Sequence, residues 1–206
     1  MVKTVIFDLG GVILTIDQRQ AVARFREVGL SDAAERLDPY TQQGIFGELE
    51  AGTISAEGFR VELGRLVGRE VSYAECCYCW QGYATELPRR NLELLASLRE
   101  KGYRVLLLSN TNPFMMDWAE SDRFDGEGHP IGYYFDATYM SYKCKMMKPD
   151  EDFFRYVLEK ENIQPDETLF VDDGERNVAT ASRLGIHTFR PVNGEDWTKK
   201  IYEYLK

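Results

Sequence analysis

Apolar residues fall along this chain in two rhythms. Short unbroken runs, Val5-Ile6-Phe7, Val105-Leu106-Leu107-Leu108 and Leu169-Phe170-Val171, read as strands buried on both faces. Five strands are expected, over 3–9, 103–108, 135–140, 168–171 and 186–190. Between them the apolar positions recur every three or four residues, which predicts helices. After the second strand these run over 113–118, 150–161, 176–184 and 197–205, and Leu92, Leu95 and Leu98 mark one before it. Strands alternating with helices give an α/β fold with a parallel sheet and right-handed crossovers.

The stretch 15–87 breaks that alternation. Ala21, Val22, Phe25 and Val28 share one helical face, and Ser55 opens a helix carrying Phe59 and Leu63 that Gly68 stops. Residues 72–83 read as another helix, with Cys76, Cys79, Trp80 and Tyr83 on one stripe. No strand stands out here. The expected organisation is therefore a core of residues 1–14 and 88–206, with an all-helical insertion, 15–87, after the first strand.

Charge narrows the partners. The 34 acidic and 25 basic residues leave a net charge of -9, which argues against nucleic acid or an anionic membrane. An anionic small molecule stays open, because a metal or local cations reverse the field inside a cleft. No apolar run nears the roughly 20 residues of a membrane span, and strand residues begin at Thr4, where a signal peptide would lie. Nothing suggests an obligate protein partner. Three of the four cysteines, Cys76, Cys77 and Cys79, crowd one segment and cannot staple a fold. A reducing, cytoplasmic setting is expected.

The strands of a parallel sheet end on one edge, where open α/β folds bind ligands. Asp8 follows the first strand and Ser109 ends the second. Lys148 comes after the third, and Asp172 with Asp173 follows the fourth. Three gathered carboxylates repel one another unless a cation sits among them. Mg²⁺, a hard ion with oxygen ligands, resolves this most simply. Lys148 and Ser109 then hold an anion against it, an arrangement suited to phosphoryl transfer through an aspartyl-phosphate.

Taken together, Phe7-Asp8-Leu9-Gly10-Gly11, Leu108-Ser109-Asn110, Met147-Lys148-Pro149 and Phe170-Val171-Asp172-Asp173 resemble the four ordered motifs of the haloacid dehalogenase superfamily. The resemblance covers nearly the whole chain. It implies a Rossmann-like core, with the insertion as a C1-type cap, and a Mg²⁺-dependent phosphatase of small phosphorylated metabolites. It casts Asp8 as nucleophile and metal ligand, with Gly10 giving the metal its backbone carbonyl. Ser109 binds the phosphoryl group with Asn110, and Lys148 neutralises it. Asp172 and Asp173 complete the metal site, and Asn177 orients its water shell.

One position departs from the pattern. Family phosphatases carry a second Asp two residues after the nucleophile, as general acid and base; here that position is Gly10. Another carboxylate would have to substitute: Asp17 at the root of the insertion, or Glu48 or Glu50 on it. Asp17 and Glu48 are taken, with Asn110, as substrate-side residues. Alternatively the leaving group needs little help, as with sugar 1-phosphates such as glucose 1-phosphate. The remaining reading is a catalytically weak protein that binds phosphometabolites in a regulatory role. A phosphonate-cleaving relative would need a cap lysine, and none lies between Lys3 and Lys101. The Asp172-Asp173 pair and Gly10 speak against the dehalogenase branch.

Overall fold

The computed structural model describes residues 1–37 and 43–205. Five parallel strands form one sheet: β1 (Thr4–Phe7), β4 (Arg104–Ser109), β5 (Ala137–Met140), β6 (Thr168–Val171) and β7 (His187–Phe189). Their spatial order is β5-β4-β1-β6-β7. β1 is central and pairs in register on both sides, Phe7 opposite Leu107 and opposite Val171.

The unbroken apolar runs follow from this position. Val5 and Phe7, Val105 and Leu107, and Leu169 and Val171 enter one core. Ile6, Leu106, Leu108 and Phe170 enter the other. The first face is covered by α6 (Arg89–Glu100), α7 (Pro113–Ala119) and the C-terminal segment. The second is covered by α9 (Glu151–Glu161) and α10 (Glu175–Arg183), through Phe153, Phe154, Val157 and Ala181. A one-residue slip of β1 would exchange its two faces, so its register is strongly specified.

The insertion contains α1 (Gln18–Val28), α2 (Ala33–Arg36), α3 (Ile45–Glu50), α4 (Ala56–Val67) and α5 (Tyr73–Trp80). Phe25, Phe46, Phe59 and Trp80 meet with ring centroids 5.3 to 5.9 Å apart. Such packing adds roughly 0.5–1.5 kcal/mol per pair beyond area burial. Phe114 and Met115 of α7 join this cluster, so the helices rest on the core through one shared helix.

Two expectations are corrected. The insertion is not purely helical: its ends pair as antiparallel strands, β2 (Thr15–Ile16) and β3 (Ala84–Glu86). Strands of two or three residues are too short to print a period in the sequence. Paired, they satisfy the backbone groups where the chain leaves and re-enters the core. The helix expected over 197–205 is only a 3₁₀ turn, Lys200–Glu203. Trp197, Ile201 and Leu205 are buried as their spacing requires. A helix that short draws its stability from packing, which here is met without further turns. Among the described residues no helix is long and apolar enough to cross a membrane.

Candidate active site

Asp8 leaves β1 with its N–H still on the ladder, donating to Val171 O at 2.9 Å, and its carboxylate accepts from Leu9 N at 2.7 Å. The chain then turns sharply. Gly11 has φ +74°, and a Cβ there would lie 2.2 Å from Asp173 Oδ2. Glycine is required for both reasons: the left-handed backbone and the close carboxylate. The turn is pinned from behind. Asn91 Nδ2 donates to Val12 O and Ile13 O, each at 3.0 Å, and Trp197 Nε1 donates to Val12 O at 3.1 Å.

Lys148 arrives on the loop before α9 and is fixed to the end of β4. The Asn110 side chain donates to Lys148 O at 2.8 Å and accepts from Lys148 N at 2.9 Å. The buried ammonium lies 2.9 Å from Asp8 Oδ1 and 2.6 Å from Asp172 Oδ2. Asp172 is fully buried and also accepts from Gly174 N at 2.7 Å and Asn177 Nδ2 at 3.0 and 3.1 Å. The Ser109 hydroxyl donates one long bond, 3.4 Å, to Asn110 O.

Carboxylate oxygens of Asp8, Asp172 and Asp173 lie within 4.8 Å of one another. Burial, then the charges of Asp172 and Asp173, push Asp8 up to about 7 against the pull of Lys148. Burial and the charge of Asp172 push Asp173 to about 6. Burial disfavours the Lys148 ammonium, but Asp172 and Asp8 outweigh it and hold its pKa above the usual lysine value. One ammonium thus faces three carboxylates, and two of them stay hard to ionise. A second cation fits that deficit, and an all-oxygen donor set suits Mg²⁺.

The site floors a cleft of about 390 Å³ between the sheet edge and the insertion. Asp8, Gly10, Ser109, Asn110, Lys148 and Asp173 line it, and Asp172 lies just behind. Asp17 and Glu48 do not. Asp17 caps α1 instead, accepting from Arg19 N at 2.9 Å and pairing with the Arg19 guanidinium, which holds its carboxyl below the usual value. Glu48 is exposed on α3.

Glu50, two residues on, is the insertion's carboxylate in the cleft wall. Positions i and i+2 do not share a helix face, whereas Phe46 and Glu50, at i and i+4, do. Phe46 is buried, so Glu50 follows it inward and Glu48 does not. Burial, with the charge of Asp8 adding, pushes Glu50 up to about 8, partly offset by a hydrogen bond from Asn112. Trp80 and Tyr83 line the cleft as well as packing the insertion. Arg176 and Arg190 stand exposed at its mouth, with Arg190 Nε 3.0 Å from Asp173 O. Sequence reasoning assigned no part to Asn91, Asn112 or these arginines.

Comparison with known proteins agrees with this geometry. A sequence profile of haloacid dehalogenase-like hydrolases matches residues 2–185. A D-ribitol-5-phosphate phosphatase of Bacteroides thetaiotaomicron is 46% identical over 201 residues, covering 98% of this chain and 97% of that protein. The solved structure of a predicted HAD-like family hydrolase from Porphyromonas gingivalis superposes with a TM-score of 0.95 at 41% identity, covering 100% of this chain and 98% of the other. An HAD family enzyme of Bacteroides thetaiotaomicron, solved with magnesium and inorganic phosphate, gives a TM-score of 0.89 at 36% identity over 97% of this chain and 99% of that one.

Proposed function

The chain belongs to the haloacid dehalogenase-like hydrolase family, and from that premise we propose that it hydrolyses phosphate monoesters of small polyols and sugars with Mg²⁺. The observation that carries this is Lys148, buried and bridging Asp8 to Asp172 beneath a cleft where a third carboxylate, Asp173, converges. The substrate class rests on the 46% identical ribitol-5-phosphate phosphatase and on the mixed lining, in which polar Asn110 and Asn112 face aromatic Trp80 and Tyr83. The phosphate of such a substrate sits on a primary alcohol, unlike the anomeric phosphate of glucose 1-phosphate.

In this reading Asp8, the Gly10 carbonyl, Asp172 and Asp173 hold Mg²⁺, which supplies positive charge against the phosphoryl oxygens. Asp8 Oδ attacks phosphorus, displaces the alcohol and carries the phosphoryl group as an acyl phosphate; water then releases it. Lys148 balances the carboxylates and meets the incoming phosphate, while Ser109 and Asn110 orient it. Asn177 keeps Asp172 aimed. Residues 15–87 act as the lid over the core 1–14 and 88–206, excluding water until the ester is cleaved. The four cysteines, all free, support a reducing compartment.

The test is phosphate release from ribitol 5-phosphate, glucose 1-phosphate and glucose 6-phosphate, with and without EDTA, beside an Asp8→Asn control. Release that needs both Mg²⁺ and Asp8, and is fastest on the polyol ester, is the expected result. Release from no ester above the Asp8→Asn background would reject the hydrolase reading.

A further inference from the structure

The family position that would carry a general acid is Gly10, which has no side chain to donate a proton. An alkyl phosphate expels a poor leaving group, so some acid must stand near the ester oxygen. The cleft offers few candidates. Asp8 is committed to attack. Asp172 is spent on Lys148, Gly174 and Asn177, Asp173 lies against the Gly11 turn, and Glu175 pairs with Arg190 at 3.3 Å. Glu50 is different: it faces the same cleft from the opposite wall, on the insertion, and pairs with no Lys, Arg or His among the described residues.

We propose that Glu50 is the catalytic acid and base of this enzyme, delivered from the insertion to the ester oxygen in place of the residue that Gly10 lacks. The inference rests on the phosphatase reading above.

Two contacts hold Glu50 there. Asn112 caps α7, and its Oδ1 is used twice, accepting from Phe114 N and Met115 N at 3.1 Å each. Only its amide N–H groups remain for Glu50, and a donor to one carboxyl oxygen leaves the other oxygen to carry the proton. Two residues past Glu50, Gly52 has φ +68°, and a Cβ there would sit 2.2 Å from Tyr142 O. The end of α3 is thereby pressed against core backbone, and this sets the position of Glu50 over the sheet edge. Partial burial of Glu50 in the cleft wall also favours its protonated form before substrate is cleaved.

As Asp8 Oδ bonds to phosphorus, the bond from phosphorus to the alcohol oxygen breaks, its electron pair stays on that oxygen, and the Glu50 proton joins it to give the free alcohol. A water then attacks the acyl phosphate. Glu50 takes its proton, the bond from phosphorus to Asp8 breaks, and inorganic phosphate leaves with Glu50 protonated again.

The experiment is rapid-quench kinetics of Glu50→Gln on two esters, ribitol 5-phosphate and p-nitrophenyl phosphate. p-Nitrophenolate leaves without a proton. The variant's first turnover should therefore fall by about 10²–10⁴ on the alkyl ester, yet by less than about fivefold on the aryl ester. On the latter a burst of p-nitrophenolate should precede a slow steady state, because water still lacks its base. Equal losses on both esters, or no loss on either, overturn the proposal while leaving the phosphatase reading intact. A wild-type enzyme silent on both overturns the two together.

A second variant guards against a merely structural effect. A Cβ at Gly10 meets only Ile16, at 3.5 and 3.6 Å, and its φ lies outside the left-handed region, so the backbone there accepts a side chain. Gly10→Asp added to Glu50→Gln should restore at least about tenfold of the lost alkyl-ester rate. Absence of any rescue in a folded double variant counts against the assignment.

Discussion

Side chains able to ligate a metal meet in threes at two places among the described residues, with ligand atoms within 4.8 Å in each. One is Asp8, Asp172 and Asp173. The other is Asp125, Glu127 and His129, on the loop between α7 and β5. The two look alike as lists and are opposite in electrostatics. At the sheet edge, burial and mutual repulsion push Asp8 and Asp173 up, and the single ammonium there does not cancel them. On the loop, hydrogen bonds outweigh what burial costs Asp125 and hold its carboxyl well below the usual value. Asp125 accepts from Glu127 N at 2.7 Å, His129 N at 3.0 Å and the Tyr134 hydroxyl at 2.6 Å, and its Oδ2 lies 2.7 Å from His129 Nδ1. Glu127 is paired with Arg89. That cluster is already satisfied and asks for no ion. The direction of the carboxylate shifts, more than their number, separates a site waiting for a cation from a loop that has closed on itself.

The strongest way to break this contrast is a pair of isosteric changes. Asp8→Asn should lower turnover on the order of 10⁴-fold or more, while Asp125→Asn leaves kcat/KM within about twofold and costs only loop stability. Steady-state assays on both variants decide it; a comparable loss in Asp125→Asn would mean that the loop shares in the chemistry.

Next in size is Lys148→Met. It strips the buried cation from Asp8 and Asp172, whose charges then stand unpaired. Metal-free stability should fall by about 3–5 kcal/mol. Mg²⁺ should stabilise the variant more than the wild type, because the ion then supplies the missing charge. Urea unfolding with and without Mg²⁺ measures both; an undiminished stability would show that the lysine carries little of the balance.

A third test uses pH in the absence of metal. Folding raises Asp173 to about 6, Asp8 to about 7 and Glu50 to about 8, so the folded chain binds more protons than the unfolded one. Stability should therefore fall as pH rises from the ordinary carboxylate value, about 4, through that range. Asp125 runs the other way: its stabilisation is present above about pH 4 and is lost as pH falls below it. Asp173→Asn should flatten the neutral limb and Asp125→Asn the acid limb, and Mg²⁺ should flatten only the former. Identical neutral slopes in wild type and Asp173→Asn would remove the electrostatic basis of the contrast.

The smallest effect sharpens the second cluster. Tyr134→Phe deletes a hydrogen bond to an ionised carboxylate, worth about 1.5–3 kcal/mol at most. A loss of about 1 kcal/mol, with Mg²⁺-dependent activity unchanged, is expected from thermal unfolding and a parallel assay.

The core was legible because its signals are local. A strand buried on both faces must be apolar throughout, so Val5-Ile6-Phe7 and Leu169-Phe170-Val171 announce themselves. Parallel pairing then sends every strand end to one edge. The meeting of Asp8, Ser109, Lys148 and Asp172 needed only the order of elements, and the sheet order β5-β4-β1-β6-β7 puts β1 between β4 and β6. What the cap contributes was not legible in that way. Asp17, Glu48 and Glu50 are chemically alike, and nothing in their neighbours' identity states which of them faces the core. Asp17 was claimed by its own helix as a cap, a local use that competes with any use in the cleft. Glu48 points away because α3 buries Phe46 and Leu49. Asn91 escaped notice because it acts on Val12 and Ile13, far away in the chain, and Asn112 because its local use as the cap of α7 hides its second contact, with Glu50. Composition and hydrophobic period determined the five strands of the parallel sheet, the interrupted α/β order and the charges that converge on the sheet edge. Tertiary structure alone decided which cap carboxylate enters the cleft, because that depends on how α3 docks through Gly52 onto Tyr142, a contact between segments that the chain's local patterns do not encode.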